Sequence, residues 1–368
     1  MKKVKLTSIC NPKQWKTIPL SKLTDIGYPV YGANGIIGFF GEYNHKNATI
    51  AITCRGATCG AVNMTQPKSY VNGNAMCLDD IDDSIRIKYL FYSMQAYDFT
   101  KIISGSAQPQ ITREGIRKVE ITIHSLNEQE KIIRELDTIQ RLIDQKRMQI
   151  EKIDNLIRSR FIELFGDMYL NSLEWTEVTL EFISDIVSGI TKGRKIKTAE
   201  LREVPYMAVS NVKNGYIDWT TVKTIEVTEQ EINQYRLLPD DVLMTEGGDP
   251  DKVGRGAIIR EPLENCIHQN HIFRVRLNER VILPVFFAEY LQHQRAKRYF
   301  LGCAKQTTGI ASINMKQLRN LPVLMPPLEL QNQFAAFVAQ TDKSKLAVEK
   351  SLKQLEILKK SLMQQYFD

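Results

Sequence analysis

A heptad pattern of apolar residues runs through residues 126–167 of the chain, with no proline and with no glycine before Gly166. One position of each heptad is apolar, and a companion position three residues further on is apolar or holds a long cation. These two positions are filled by Leu136, Ile139, Ile143, Lys146, Ile150, Ile153, Ile157, Arg160 and Leu164. A mean spacing of about 3.5 residues is typical of a coiled-coil seam. The pattern therefore predicts one helix roughly 60 Å long, at 1.5 Å per residue.

The same pattern returns near the end of the sequence, in residues 328–368. Leu126 then aligns with Leu328 and Gln129 with Gln331, and the alignment extends back into the preceding strands. The second seam consists of Val338, Lys345, Val348, Leu352, Leu355, Lys359 and Leu362. An internal repeat of this kind predicts two equivalent structural units. We expect the two helices to pack on each other as an antiparallel coiled coil; the alternative is two unrelated surface helices.

The segments that precede the helices, residues 1–125 and 168–327, share a plan of short apolar runs separated by glycine turns. Such runs predict strands, and each segment also contains helical stretches. The predicted elements include strands at 48–53 and 119–123 and helices at 89–99, 180–186 and 285–299. The fold class that follows is α/β (α+β), with two domains in pseudo-twofold symmetry, separated by the two long antiparallel helices.

The composition is that of a globular protein with sizeable cores. Of the 368 residues, 43% are hydrophobic and 25% are charged, which suits two ordinary domains with connecting helices. No apolar run is long enough to span a bilayer, and the first residues lack the apolar core of a signal peptide. We therefore expect a cytoplasmic protein without a membrane partner, with its six cysteines reduced. The formal net charge of +7 is compatible with a nucleic-acid partner.

Motifs of catalysis are absent from the sequence. It has no phosphate-binding Gly-x-x-x-x-Gly-Lys-Ser/Thr loop, and Met325-Pro-Pro-Leu is not an amino-group methyltransferase motif. The acidic residues that could hold a metal in a nuclease are Asp240, Asp241, Glu246 and Asp249. No lysine lies two residues beyond Glu246, and His268 and His271 would point to opposite faces of a strand. We predict no catalytic residue, no metal site and no cofactor.

The glycine-flanked loops carry side chains that can form hydrogen bonds with bases and phosphates. Arginine and lysine reach guanine or phosphate, and asparagine and glutamine pair with adenine. In the first segment the candidates for DNA binding are Tyr31, Asn34, Arg55, Thr58, Asn72, Asn74, Gln108 and Gln110. In the second segment they are Lys192, Arg194, Lys195, Ser210, Asn211, Lys213, Arg255, Gln269, Asn270, Lys305, Gln306 and Thr307. The alternative for any one of them is a solvated turn residue.

Several short segments of the chain, considered together with the internal repeat, are typical of one protein family. Tyr28-Pro-Val-Tyr-Gly-Ala-Asn-Gly-Ile-Ile-Gly and Arg55-Gly-Ala-Thr-Cys-Gly lie in the first domain. Val323-Leu-Met-Pro-Pro-Leu-Glu-Leu-Gln leads into the second helix. The two helices end in Arg160-Phe-Ile-Glu-Leu-Phe-Gly-Asp and Met363-Gln-Gln-Tyr-Phe-Asp. In these segments and in its overall arrangement, the chain resembles the specificity subunit of a type I restriction-modification system.

The resemblance covers the whole chain, although His124 stands where the second copy has Pro326 and the first domain is the shorter one. It implies a first DNA target-recognition domain at 1–125, a spacer helix at 126–167, a second target-recognition domain at 168–327 and a second spacer helix at 328–368. It also implies a non-catalytic subunit that reads a bipartite, asymmetric site in double-stranded DNA. Two methyltransferase subunits would supply S-adenosylmethionine-dependent adenine methylation, and up to two restriction/motor subunits would supply ATP-dependent cleavage.

The long helices would then serve as a ruler between the half-sites. The seam residues Leu136, Ile143, Ile150, Ile157, Val338, Leu352 and Leu355 would join helix to helix. Apolar residues outside the seam, such as Ile132, Leu142 and Phe161, would dock partner subunits. The competing interpretations are a coiled-coil scaffold without DNA readout and a self-sufficient or inactive nuclease or methyltransferase, which the missing motifs disfavour.

Overall fold

The computed structural model describes residues 2–33, 35–105, 108–194, 200–249, 252–307 and 310–368, with the backbone alone for residues 306, 307 and 310. The chain divides into two compact units. Unit 1 comprises Met1–Met148 and Val348–Asp368, and unit 2 comprises Gln149–Ala347. Each unit therefore contains a part of both long helices.

Unit 1 is built on small sheets, which are antiparallel except where Tyr28–Gly32 pairs with Tyr70–Val71. Its strands are β1 (Lys2–Lys5), β2 (Asn11–Gln14), β3 (Tyr28–Gly32), β4 (Gly35–Phe40), β5 (Ile50–Thr53), β6 (Val62–Met64), β7 (Tyr70–Val71), β8 (Ala75–Asp79), β9 (Ile103–Ser104), β10 (Gln110–Ile111) and β11 (Glu120–Ile123). Its helices are α1 (Ile87–Ala96), α2 (Arg113–Ile116) and the first part of α3 (Leu126–Phe165). The main sheet has the order β2-β8-β5-β6, and β3 lies between β4 and a parallel β7. β1 pairs with β11, directly before α3.

Unit 2 contains more elements. Its strands are β12 (Thr176–Thr179), β13 (Ser184–Ser188), β14 (Arg202–Met207), β15 (Lys223–Val227), β16 (Val242–Thr245), β17 (Gly247–Gly248), β18 (Gly256–Ile258), β19 (Ile267–His268), β20 (Ile272–Leu277), β21 (Lys305–Thr307), β22 (Ile310–Ser312) and β23 (Pro322–Met325). Its helices are α4 (Glu229–Tyr235), α5 (Pro284–Tyr290), α6 (Gln294–Cys303), α7 (Met315–Arg319) and the first part of α8 (Leu328–Phe367).

The sheet topology of unit 2 repeats that of unit 1. The main sheet has the order β13-β20-β16-β18, β14 lies between β15 and a parallel β19, and β12 pairs with β23. Individual hydrogen bonds also correspond: Leu6 N–H donates to the Val119 carbonyl, and Leu180 N–H donates to the Leu321 carbonyl. The internal repeat of the helices therefore extends into the sheets of both units.

Each unit encloses its own hydrophobic core, to which the long helices contribute. In unit 1, Leu136 of α3 is fully buried with Ile52 and Met76 of the main sheet. In unit 2, Phe161 of α3 stacks on Phe286 at a ring-centroid distance of 5.4 Å. Burying a large apolar side chain contributes roughly 1.5–3 kcal/mol. The helices are thus structural parts of both units.

A buried glutamine near the start of α3 ties this helix to α1. Gln129 is fully buried. Its Oε1 accepts a hydrogen bond from Arg86 N–H at 2.8 Å, and its Nε2 donates to the carbonyls of Ser84 and His124, both at 2.9 Å. Since Arg86 directly precedes α1, one amide joins the beginnings of two helices.

Unit 2 repeats this arrangement with Gln331 at the start of α8. The Gln331 Oε1 accepts from Leu283 N–H at 2.8 Å. Its Nε2 donates to the carbonyls of Val281 at 3.2 Å and Pro326 at 2.9 Å. The sequence repeat aligns Gln129 with Gln331. In each unit this buried amide therefore links the start of a long helix to the segment that precedes a shorter helix.

Replacing Gln129 by alanine is expected to destabilise unit 1 by at least about 2 kcal/mol, because three backbone groups lose the hydrogen bonds that its buried amide supplies. Urea unfolding of the purified chain measures the change. Gln145→Ala, at an exposed position of the same helix, is the matched control and should change stability by less than about 0.5 kcal/mol. Equal effects of the two substitutions would contradict a structural role for the Gln129 amide.

The long helices, of 40 residues each, pack together and run antiparallel. In unit 1, Lys359 Nζ donates to Gln140 Oε1 at 2.6 Å, and Arg147 pairs with Glu356 at 2.8 Å. In unit 2, Lys345 pairs with Asp154 at 2.6 Å, and Phe161 contacts Phe334. The seam residues Leu136, Ile143, Ile150, Ile157, Val338, Leu352 and Leu355 are all buried or half-buried. Lysines that interrupt the seam form polar contacts across it.

The predicted fold class, two α/β (α+β) domains with two long antiparallel helices, is confirmed. Two predicted helices are corrected. Residues 180–186 form a short 3₁₀ turn followed by β13, because residues 184–188 pair with β20. Residues 285–299 form parts of α5 and α6, with a break between them.

The prediction that Ile132 and Phe161 dock partner subunits is also wrong. Ile132 is 1% exposed and Phe161 is 0% exposed, because each lies in the core of its own unit. Leu142 is exposed. Apolar residues outside the seam therefore differ in their environment: some are buried in the core of a unit, and others are exposed on the surface.

Candidate nucleic-acid interface

In unit 1, three chain segments converge at the end of β5. Cys54 N–H donates to the Asn74 carbonyl at 2.9 Å, and the Cys54 carbonyl accepts from Ile111 N–H at 3.0 Å. Arg55 faces Gln110 in an antiparallel bridge. We call residues 53–56, 72–75 and 108–111 the unit 1 loop edge. Its side chains stand on a backbone fixed by hydrogen bonds.

Five of the predicted DNA-binding residues present accessible side chains on or beside this edge. Arg55, Thr58, Asn74 and Gln108 are exposed, and Gln110 is half-buried. Among the described residues, the Arg55 guanidinium has no hydrogen-bond or ion-pair partner. An unpaired arginine beside amide side chains has the donors that base edges and phosphates accept.

Tyr31 and Asn72 serve the fold instead. Tyr31 is 6% exposed, and its hydroxyl accepts a hydrogen bond from Gln66 N–H. Asn72 is 2% exposed, its Oδ1 accepts from Ile18 N–H, and its Nδ2 donates to the Ile18 carbonyl. We therefore leave both side chains out of the proposed interface.

Unit 2 builds an equivalent edge at the end of β16. Glu246 N–H donates to the His271 carbonyl at 3.0 Å, and the Glu246 carbonyl accepts from Ile313 N–H at 2.8 Å. Gly247 faces Ser312 in an antiparallel pair. We call residues 245–248, 268–271 and 311–313 the unit 2 loop edge.

The matching backbone bonds align the two edges residue by residue. Cys54 corresponds to Glu246, and Asn74 corresponds to His271. The Arg55–Gln110 bridge corresponds to the Gly247–Ser312 pair. The two units thus share a backbone frame but present different side chains on it.

The predicted residues of unit 2 lie in several places. Gln269 and Asn270, both half-buried, belong to the unit 2 loop edge. The exposed candidates elsewhere are Lys192, Ser210 and Lys305. Lys213 lies 3.9 Å from Asp218. Arg255 is half-buried and precedes Gly256, whose carbonyl accepts a hydrogen bond from Gly215 N–H.

The side chains of Arg194 and Asn211 form hydrogen bonds within unit 2. Arg194 donates to both carboxylate oxygens of Glu231 at 2.6 Å, and these bonds hold the pKa of Glu231 below its usual value. Asn211 is 1% exposed and its Nδ2 donates to the Asp218 carbonyl. Asn34 and Lys195 lie outside the described residues, as do the side chains of Gln306 and Thr307.

Most of the acidic residues considered for metal binding have partners in the fold. Asp241 pairs with Arg276 at 2.7 Å, and Asp240 pairs with Arg260 at 2.9 Å. Asp249 pairs with Lys252. The carboxylates are therefore neutralised separately rather than gathered around one point.

One cluster of potential metal ligands, His45, Cys77 and Asp79 in unit 1, escaped the sequence reasoning. His45 Nε2 lies 2.9 Å from Asp79 Oδ1, and Trp15 Nε1 donates to Asp79 Oδ2 at 3.0 Å. Burial raises the pKa of the Cys77 thiol. We interpret the cluster as a hydrogen-bond network that supports β8.

The family description "type I restriction modification DNA specificity domain" matches residues 1–155 and 173–357. A putative type I restriction enzyme MjaX specificity subunit of Methanocaldococcus jannaschii is 27% identical over 222 residues, which are 60% of this chain and 50% of that protein. The EcoKI specificity subunit of Escherichia coli is 25% identical over 235 residues, again 60% of this chain and 50% of that protein. The chain spans about half the length of these curated relatives.

The fold also resembles that of solved structures. The S subunit of a type I restriction-modification system from M. genitalium matches with a TM-score of 0.58 at 17% identity, covering 100% of this chain and 96% of that one. Across the described ranges, no helix combines the length and apolar character that a bilayer span requires.

Proposed function

Because the chain belongs to the type I restriction-modification DNA specificity family, we propose that it is the DNA-reading subunit of such a complex. The observation that carries the proposal is the duplicated loop edge. Two units hold equivalent segments with equivalent backbone bonds, yet the side chains at matched positions differ. Two loop edges with the same backbone arrangement but different side chains are suited to a bipartite DNA site whose two halves differ in sequence.

In this proposal each loop edge reads one half-site. Arg55, Asn74 and Gln110 offer unit 1 the donors and acceptors that distinguish bases in the major groove. Gln269 and Asn270 do the same for unit 2. Exposed lysines outside the edges contribute phosphate contacts that position the protein without reading sequence. Lys192 is an example, two residues after Ile190, which bridges Gln269 of the unit 2 loop edge.

The catalytic steps belong to partner subunits. We propose two methyltransferase subunits that use S-adenosylmethionine to methylate adenine, and up to two restriction/motor subunits that hydrolyse ATP. The chain itself would hold no cofactor and would act on DNA in the cytoplasm. Exposed apolar residues on α8, Leu346 at 67% and Ile357 at 60%, are suitable docking points for a partner.

The division of labour along the chain follows the same proposal. Residues 1–125 and 168–327 are the target-recognition domains, and residues 126–167 and 328–368 are spacer helices. Both helices pass from one unit into the other. Their length would fix the number of unread base pairs between the half-sites.

Replacing Arg55 by alanine is expected to weaken the base preference in one half-site and to leave the other half-site unchanged. The test is selection of bound duplexes from a random-sequence library by the chain in complex with a methyltransferase subunit. Wild type should enrich a bipartite motif, and Arg55→Ala should lower base preference in one half by about tenfold or more. Arg117→Ala, which removes an exposed arginine outside the loop edge, should leave the motif unchanged. Failure of the wild-type complex to enrich any motif would contradict the proposed function.

A further inference from the structure

An acidic side chain stands in a fixed position on the unit 2 loop edge. The backbone of Glu246 is held on both sides, by His271 and by Ile313. The Glu246 Oε2 accepts a hydrogen bond from His271 Nδ1 at 2.5 Å. The two side chains are 35% and 56% exposed, respectively. In the part of the chain that the structure describes, no partner contacts Glu246 Oε1.

A carboxylate on a surface that approaches DNA is unfavourable unless it meets a hydrogen-bond donor, because the phosphates repel it. The donors that a major groove offers are the amino groups of cytosine and adenine. Guanine and thymine present acceptor oxygens there, and adenine presents the acceptor N7 beside its amino group. An ionised carboxylate, which can only accept, therefore suits cytosine best.

We propose that Glu246 is a specificity-determining residue that reads a cytosine in the half-site bound by unit 2. The inference rests on the proposed function and adds the class of base that this site takes. Oε1 accepts from the cytosine N4 amino group. His271 is a positioning residue, since its bond to Oε2 sets the direction in which Oε1 points.

The matched positions of unit 1 hold neither a carboxylate nor an imidazole. The residue that corresponds to Glu246 is Cys54, which is fully buried, and burial raises the pKa of its thiol to about 12. The residue that corresponds to His271 is Asn74. The cytosine requirement therefore belongs to one half of the target, and it contributes to the asymmetry of the site.

The test is library selection with the complex that carries wild type, Glu246→Gln or Glu246→Asp. Glutamine donates as well as accepts, so Glu246→Gln should relax one position from cytosine towards adenine by about tenfold. Glu246→Asp keeps the acceptor and should keep cytosine with weaker enrichment. Glu261→Gln, an exposed carboxylate at the far end of β18 from the loop edge, should leave the motif unchanged.

The positioning role of His271 has its own readout. His271→Ala should broaden the base preference at the same position as Glu246→Gln, and His271→Gln, which restores a donor, should recover part of it. A motif identical in wild type and Glu246→Gln would overturn the inference while leaving the proposed function intact. A loss of overall affinity without a change of base preference would also overturn it. Absence of a bipartite motif for wild type would instead remove the proposed function, and this inference with it.

Discussion

Removing one heptad from each long helix, residues 140–146 together with 354–360, is expected to shorten the unread gap while both half-sites stay the same. Each heptad accounts for about 10 Å of helix at 1.5 Å per residue. That length corresponds to up to about three base-pair steps of 3.4 Å. Library selection with the shortened chain in its complex measures the gap directly.

The two deleted heptads face each other in unit 1, where Gln140 contacts Lys359. Seven residues also preserve the seam, because the apolar positions recur with that period. Deleting four residues from each helix instead rotates one seam away from the other, and this control should abolish selection of a defined motif. An unchanged gap after the paired heptad deletion would refute the ruler.

Exchanging residues 168–327 for the equivalent segment of a relative is expected to replace one half of the recognised sequence completely. The other half should stay the same, because the loop edge that we assign to it is built within unit 1. The exchange leaves the seam and both buried glutamines of the helices in place, since Gln129 and Gln331 lie outside it. The measurement is the motif that the chimaeric complex selects.

The reciprocal exchange of residues 1–125 is the matched control and should change the opposite half. Changes in both halves after either exchange would show that base reading is shared between the units. A chimaera that assembles with the methyltransferase subunit and still selects the original motif after either exchange would place the recognition residues in the helices, which both exchanges leave unchanged.

The heptad pattern predicted the long helices well because helical periodicity is a local property of the sequence. The pairing of residues 184–188 with β20 depends on residues almost ninety positions later in the chain. No local pattern reports such a pairing, and the 180–186 stretch was predicted as a helix for that reason. The role of Gln129 escaped prediction in the same way, since two of its partners precede α1.

The loop residues show a second limit of sequence reasoning. Asn72 and Asn74 are two positions apart and equally polar, yet one is buried among backbone groups and the other is exposed. Burial decides which of them can meet DNA, and burial depends on the fold. Glu246 was considered only as a metal ligand, because its alignment with Cys54 rests on backbone bonds rather than on sequence similarity.

The most direct test of the central claim is to map methylated adenines in the DNA of a host that expresses this chain with its methyltransferase subunit. We predict one asymmetric motif with two short defined halves around a gap of constant length. New methylation at sites without a second half, or a stable complex that produces no new methylation, would contradict the account and favour a coiled-coil scaffold without DNA readout.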